Sequence, residues 1–297
     1  MKKMINEPSN NIRNNTLNNN NHHRDKDKNN SMDNGVDKDY KDKNHHNNKP
    51  KRHIATMSIK IRSIITWTIL CSVMPIYNIV AYLSYLLPTK TRHSIVTSWG
   101  SLFLFFTKHI CKTNYQVFGQ ENIIKGPVIF ASNHQSTWET LALNSFLPRH
   151  VTIAKKELLK LPFFGWAFRT VSPIAIDRSL PTAASKQIVE QGAERIKDGF
   201  SILVFPEGTR VATHVKDHPY KTGTARMALE LNLPIIPIAH NAGYVMPRRS
   251  FWIYPGLVTV RIGKPIYLRK DDTADSLTAR IKDSINHELK IIDQIKD

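Results

Sequence analysis

From Ile64 to Leu87 the chain carries no charged residue: IITWTILCSVMPIYNIVAYLSYLL, 24 residues. A helix of about 20 apolar residues crosses the hydrocarbon core of a bilayer, so this run must be buried in lipid or in a large core. Pro75 and Asn78 fall near its middle. Proline withdraws one N–H from a helix ladder and crowds the preceding turn. The run therefore predicts a kinked or re-entrant helix as readily as a straight span. Arg52, Lys60 and Arg62 precede it and Lys90 and Arg92 follow it; positive charge on both sides leaves the orientation open. A second uncharged run, Ser94 to Thr107, has 14 residues, too few to span. Together the two runs predict a hairpin dipped into one leaflet, with two buried helices of a soluble core as the competing reading. A signal peptide does not fit, because the run is long, begins beyond residue 60 and lacks a clear small-residue cleavage site.

Residues 1–53 are rich in Asn, His, Lys and Asp, as in Asn18-Asn19-Asn20-Asn21-His22-His23. So few apolar side chains cannot offset the entropy lost on ordering, and the arm reads as disordered. The formal net charge is +18. Such a balance suits nucleic acid, an anionic bilayer, or anionic substrates and carriers. No zinc-finger spacing or basic-helix pattern favours nucleic acid, and the apolar run favours the bilayer. Cys71 and Cys111 both lie in apolar stretches, without metal-ligand or disulfide spacing. They read as small buried hydrophobes and fit a reduced, cytoplasm-facing domain.

After Lys112 the pattern becomes alternating. Val117-Phe118, Pro127–Ala131, Val151–Ala154, Ser201–Phe205, Ile235–Ala239 and Val258–Ile262 read as strands. Thr140–Leu147, Pro181–Lys197, Lys221–Leu231 and Ala274–Ile295 read as helices. Strands alternating with helices predict an α/β domain with a mostly covered central sheet flanked by helices. The expected organisation is a basic arm over 1–53, a membrane-anchoring helical segment over 54–111, and one globular domain over 112–297.

Four stretches carry chemistry. Asn133-His134-Gln135-Ser136-Thr137-Trp138-Glu139 follows a strand and opens a helix. A histidine there stands at the sheet edge where α/β proteins place ligands. Glu139, in the first helical turn, can reach the imidazole, fix one tautomer and leave the other nitrogen as a general base. The bland alternative is a capped helix start, with Ser136 as N-cap and Glu139 three residues on; both can hold at once. Phe205-Pro206-Glu207-Gly208-Thr209-Arg210 again follows a strand. Gly208 permits close backbone approach, and the Arg210 fork matches phosphate oxygens. Its alternative is a plain turn with a solvated arginine. Lys155-Lys156-Glu157-Leu158, with Leu161 to Trp166 and Ile176-Asp177-Arg178, sets cations beside an apolar aromatic surface suited to an amphiphile, or forms an amphipathic surface helix. Leu233-Pro234-Ile235-Ile236-Pro237-Ile238-Ala239 says only that a strand is buried.

Taken in order, these four stretches resemble the 1-acyl-sn-glycerol-3-phosphate (lysophosphatidic acid) acyltransferase family, over roughly residues 60–265. The resemblance implies that His134 is the general base and Glu139 its partner. It implies that Glu207, Gly208, Thr209 and Arg210 bind the substrate phosphate, and that Lys155 is phosphate-directed. It implies acyl transfer from acyl-CoA or acyl-carrier protein to the sn-2 hydroxyl of lysophosphatidic acid at a membrane, with no cofactor and no metal. Two positions depart from the family pattern. Glu139 stands where aspartate is usual, and Val171-Ser172-Pro173 stands where the family commonly has a glycine. Backbone donors around Gly208 are candidates to stabilise an oxyanion. Rival readings are an acyltransferase for glycerol 3-phosphate or another lysolipid, a membrane-anchored hydrolase, and a non-catalytic membrane scaffold. No Gly-x-Ser-x-Gly elbow occurs, which weighs against the hydrolase. The presence of both His134 and the Glu-Gly-Thr-Arg block weighs against the scaffold.

Overall fold

A computed structural model of the chain describes residues 55–176, 181–215 and 217–295, with the backbone alone for Phe164 and residues 181–186. The expected arm over 1–53, and Asp177-Arg178 of the third motif, lie outside the described residues.

The apolar run forms one continuous helix, α1 (Met57–Leu83), through Pro75. Of the two forms expected, an interrupted helix and a simple span, the helix is unbroken at Pro75. Pro75 removes a single N–H from the ladder, and the Asn78 side-chain amide donates to the Met74 carbonyl at 2.8 Å. A helix of 27 residues is about 40 Å long, enough to cross a bilayer.

The second uncharged run is split between α2 (Thr89–Thr97) and α3 (Trp99–His109). Thr66 meets Cys111, and Tyr77 meets Ser98, so α1 and the α2–α3 arm run antiparallel from a turn near Pro88. The hairpin is therefore present, but its arms differ. Along α1 the side chains of Ile76, Ile79, Tyr82 and Leu83 are exposed, whereas Phe103 and Leu104 of α3 are buried. The N-terminal half of α1 is also tied to the rest of the chain. Ser63 Oγ accepts from the Ile253 N–H at 2.9 Å, and Trp67 Nε1 donates to the Phe251 carbonyl at 2.9 Å. The helical segment α1–α3 thus shares its core with the globular part.

Among the described residues seven strands form one sheet, in the order β1-β7-β6-β2-β5-β3-β4. They are β1 (Thr113–Phe118), β2 (Ile129–Ser132), β3 (His150–Lys155), β4 (Ile174–Ile176), β5 (Ser201–Val204), β6 (Ile235–His240) and β7 (Gly256–Ile262). All neighbours pair in parallel except β6 with β7. The helices α4 (Trp138–Ala142), α5 (Phe164–Thr170), α6 (Pro181–Lys197), α7 (Gly223–Leu231) and α8 (Ala274–Ile295) complete the order.

The central strands are buried on both faces. Phe130, Leu203, Ile236 and Ile238 pack into one core with Phe103, Leu104 and Trp138, below α3 and α4. Their neighbours Ile129, Ala131, Ile202 and Ile235 pack into the other, against α7 and α8. That is why these strands read as unbroken apolar runs rather than alternating ones. β4 was not expected; three residues are too few to show a period. The expected helix Thr140–Leu147 is instead α4 and a 3₁₀ turn, Leu143–Ser145. Ser172, in the segment where the related family commonly has a glycine, adopts φ +51°, the left-handed region that glycine enters without strain.

Candidate active site

Parallel pairing brings the C-terminal ends of β2, β5 and β3 to one edge of the sheet. His134 follows β2, Glu207 to Arg210 follow β5, and Lys155 ends β3. The order of strands, not proximity in sequence, gathers these residues.

His134 Nδ1 lies 2.8 Å from Glu139 Oε1. The same oxygen accepts the N–H groups of Gln135 at 2.9 Å and Ser136 at 2.7 Å, while Ser136 Oγ accepts the Trp138 N–H at 3.0 Å. The capped helix start and the carboxylate–imidazole pair therefore coexist in one residue. Burial pushes the Glu139 carboxyl up, but the positive charge that His240 or His134 acquires on protonation, the His134 hydrogen bond and the Ser136 N–H outweigh it and hold the group below the usual carboxylate range. An ionised Glu139 accepts from Nδ1–H, which leaves Nε2 of His134 as the basic nitrogen. The His134 side chain is 15% exposed and that of Glu139 is 0% exposed, so the pair has one open end. Phe205 stacks on the imidazole at 4.1 Å between centroids.

The backbone of His134 is held from both sides by the loop after β5. Its N–H donates to Glu207 Oε2 at 3.1 Å, and its carbonyl accepts the Val211 N–H at 2.7 Å. Glu207 is buried and turned toward the histidine loop. Burial pushes its carboxyl up to about 8, with the charge of Glu139 adding to the effect and the His134 N–H opposing it. Gly208 has φ +70°. Its N–H donates to the Phe205 carbonyl at 2.9 Å, so that donor is already engaged and is not free for an oxyanion. Among the described residues the Arg210 guanidinium makes no hydrogen bond or ion pair, and the same holds for the exposed Lys155 ammonium. Lys155 sits two strands from β2, a distance of about 10 Å, and does not touch the His134–Glu139 pair.

Three contributors escaped the sequence reading. Asn133 and His240 are clamped together: Asn133 Nδ2 donates to the His240 carbonyl at 3.0 Å, Asn133 Oδ1 accepts the His240 N–H at 2.9 Å, and His240 Nε2 lies 2.8 Å from the Asn133 carbonyl. Burial lowers the His240 basicity. A neutral ring donating through Nε2 and accepting the Ala242 N–H at Nδ1, 3.3 Å away, satisfies both nitrogens. The third is Lys221. A β-carbon added to Gly208 would come within 2.9 Å of Lys221 Cε and 3.0 Å of Nζ, so this lysine lies over the glycine turn beside Arg210. Asn133 was inside a recognised motif, but nothing in the sequence pairs it with His240. Among the described residues no cluster of three or more His, Cys, Asp or Glu side chains could hold a metal.

Glu207→Gln tests the reading of Glu207 as a neutral support. A carboxyl held at about 8 when folded contributes stability that is full below its ordinary value and is lost as pH rises through 8. Glutamine keeps the acceptor for the His134 N–H and does not titrate. The expected result is a variant whose kcat stays within a few fold of wild type. Its thermal midpoint should gain on wild type between pH 6 and pH 9. Parallel pH curves for the two proteins would contradict the assignment.

Residues 114–241 match the protein-family model described as Acyltransferase. The chain is 38% identical over 209 residues to a 1-acyl-sn-glycerol-3-phosphate acyltransferase of Pseudomonas aeruginosa, covering 70% of this chain and 81% of that protein. A protein of the same name from Escherichia coli is 28% identical over 236 residues, covering 72% and 95%. The crystal structure of the 1-acyl-sn-glycerophosphate (LPA) acyltransferase of Thermotoga maritima superposes with a TM-score of 0.65 at 20% identity, over 79% of this chain and 98% of that one. At that identity the likeness is one of fold.

Proposed function

The chain belongs to the 1-acyl-sn-glycerol-3-phosphate acyltransferase family and is an O-acyltransferase; from that premise we propose that it acylates the sn-2 hydroxyl of lysophosphatidic acid, with acyl-CoA or acyl-carrier protein as donor and His134 as general base. The observation that carries this reading is the 2.8 Å contact between His134 Nδ1 and the buried Glu139, at the same strand edge as Arg210.

In the proposed reaction, His134 Nε2 takes the proton from the acceptor hydroxyl as its oxygen attacks the thioester carbonyl. Glu139 stabilises the imidazolium that forms. The tetrahedral intermediate collapses, the ester C–O bond is retained, and the C–S bond breaks. The departing thiolate of CoA or carrier protein receives the proton from His134. No acyl-enzyme is required: Cys111 is buried, and Cys71 lies on α1, outside the loops that follow β2 and β5. Donors of this class are cytoplasmic and acidic, so the reading places the globular domain on the cytoplasmic side, where a basic chain favours their docking. The α1 hairpin is proposed to hold it in one leaflet, because the N-terminal half of α1 is fastened to the globular part.

Arg210 is proposed as the main phosphate contact, with Lys155 and Lys221 as point charges nearby. A charge-assisted hydrogen bond contributes about 1.5–3 kcal/mol, so Arg210→Ala should raise the acceptor KM about 10–100-fold and leave the donor KM nearly unchanged. Arg210→Lys should restore only part, since an ammonium makes no bidentate contact. An acceptor lacking phosphate should be poor with wild type and barely worse with Arg210→Ala, because both changes delete one interaction. Penalties that multiply independently would remove Arg210 from the phosphate site.

A further inference from the structure

The segment after Lys155 presents a surface that the catalytic reading does not use. Residues Lys156–Lys160 form a 3₁₀ turn, and α5 folds back onto it. The fold-back is tight: a β-carbon on Gly165 would come within 2.6 Å of the Leu159 carbonyl oxygen and 2.7 Å of that of Leu158. Phe163 turns the corner at φ +60°, a region that residues with side chains rarely enter. The turn leaves Leu158, Leu161, Phe163 and Trp166 standing outward, between 37% and 53% exposed. The rings of Phe163 and Trp166 pack on each other at 5.4 Å between centroids. Lys155, Lys156 and Lys160 border them, against one carboxylate, Glu157.

Side chains of this size are ordinarily buried, and a cluster of them on a surface marks an interaction site. An aromatic pair bordered by lysines has the composition of a membrane–water boundary. Indole rings settle at headgroup depth there, and lysine stems lie along apolar surface with their charges in water. Position points the same way. α5 packs on α1 and α2, and Arg92 of α2 donates to the Thr170 carbonyl at 2.8 Å. The exposed patch is therefore continuous with the apolar hairpin. It also leaves from the end of β3, at the strand edge that carries His134.

We propose that residues 156–166 are a second membrane-inserting element, a wedge that dips its aromatic and leucine side chains below the headgroups of an anionic leaflet beside α1. Its two lysines, Lys156 and Lys160, face lipid phosphates, and its insertion fixes the distance between the catalytic strand edge and the bilayer surface. The hairpin alone would leave the domain free to tilt about α1; a second contact removes that freedom. The inference rests on membrane attachment through α1 but not on acyl transfer, because its readout is depth rather than turnover.

The test uses the full chain with Cys71→Ser, leaving the buried Cys111. A single cysteine is introduced at Trp166 or, as a control, at Lys290. Lys290 is an exposed residue of α8, and α8 packs on the sheet face opposite α3 and α4. Each cysteine is labelled with nitrobenzoxadiazole in phosphatidylglycerol–phosphatidylcholine vesicles that contain nitroxide lipids. At position 166 the emission should shift to the blue and be largely quenched by a nitroxide near the top of the acyl chain. At position 290 neither should occur. Adding Leu161→Glu to the Trp166→Cys protein should reverse most of the quenching while α1 keeps the protein on the vesicles. A label at 166 that stays as water-exposed as the one at 290, in protein that still floats with the vesicles, would overturn the proposal. So would quenching that Leu161→Glu leaves unchanged.

Discussion

His134→Ala is expected to lower kcat by about 10²–10⁴-fold, the usual cost of losing a positioned base, in a protein that remains folded and membrane-bound. The fold should survive because the contacts that hold this loop are made by the backbone. The His134 N–H still donates to Glu207, and its carbonyl still accepts from Val211. Glu139 loses one hydrogen bond but keeps the N–H groups of Gln135 and Ser136. The side chain itself packs chiefly on Phe205, so little core is lost. Steady-state rates with lysophosphatidic acid and acyl-CoA, together with a thermal midpoint, separate chemistry from folding. A kcat near wild type would remove His134 from the base role.

Glu139→Gln should cost roughly 10²–10³-fold in kcat, less than the 10⁴ lost when the aspartate of a Ser-His-Asp triad becomes asparagine. Glutamine is isosteric and retains a carbonyl oxygen for the Gln135 and Ser136 N–H groups, so the start of α4 should persist. What disappears is the negative charge that stabilises the imidazolium. Glu139→Asp makes the opposite change. It keeps the charge and withdraws it by one methylene, so it should retain substantial activity after a small rotamer or backbone adjustment. Rates for the two variants under identical conditions give the order Glu, Asp, then Gln. If Gln matched Glu, the residue would serve only as the cap that its N–H contacts also describe.

The long elements were legible in the sequence. The helices expected over Pro181–Lys197 and Ala274–Ile295 have those bounds in the structure, because many turns of periodic pattern average out local exceptions. The short elements were less so. β4 has three residues and no period to read. α7 begins at Gly223 rather than Lys221, because the Lys221 N–H donates to the Pro206 carbonyl and its side chain is laid over Gly208.

The candidate site divides along the same line. His134 and Glu139 are five residues apart, so their meeting was readable from one stretch. The loop carrying Glu207 to Arg210 was readable as a motif, but its support of the His134 backbone was not. That contact spans 73 residues, and the clamp between Asn133 and His240 spans 107. Only the strand order brings either pair together. The apolar run was legible as a long helix, while its passage through Pro75 without a break was not, because hydropathy does not record the backbone ladder.

The position of the newly formed ester decides whether lysophosphatidic acid is acylated at its sn-2 hydroxyl. Purified protein in vesicles is given unlabelled 1-acylglycerol 3-phosphate and a thioester carrying a labelled acyl chain. The product lipid is then cleaved with an sn-2-specific phospholipase. Transfer to the sn-2 hydroxyl gives phosphatidic acid as the labelled product, with essentially all label released as free fatty acid. Label retained in the lysolipid fragment, or labelling of a phosphate-free acceptor at an equal rate, would contradict it.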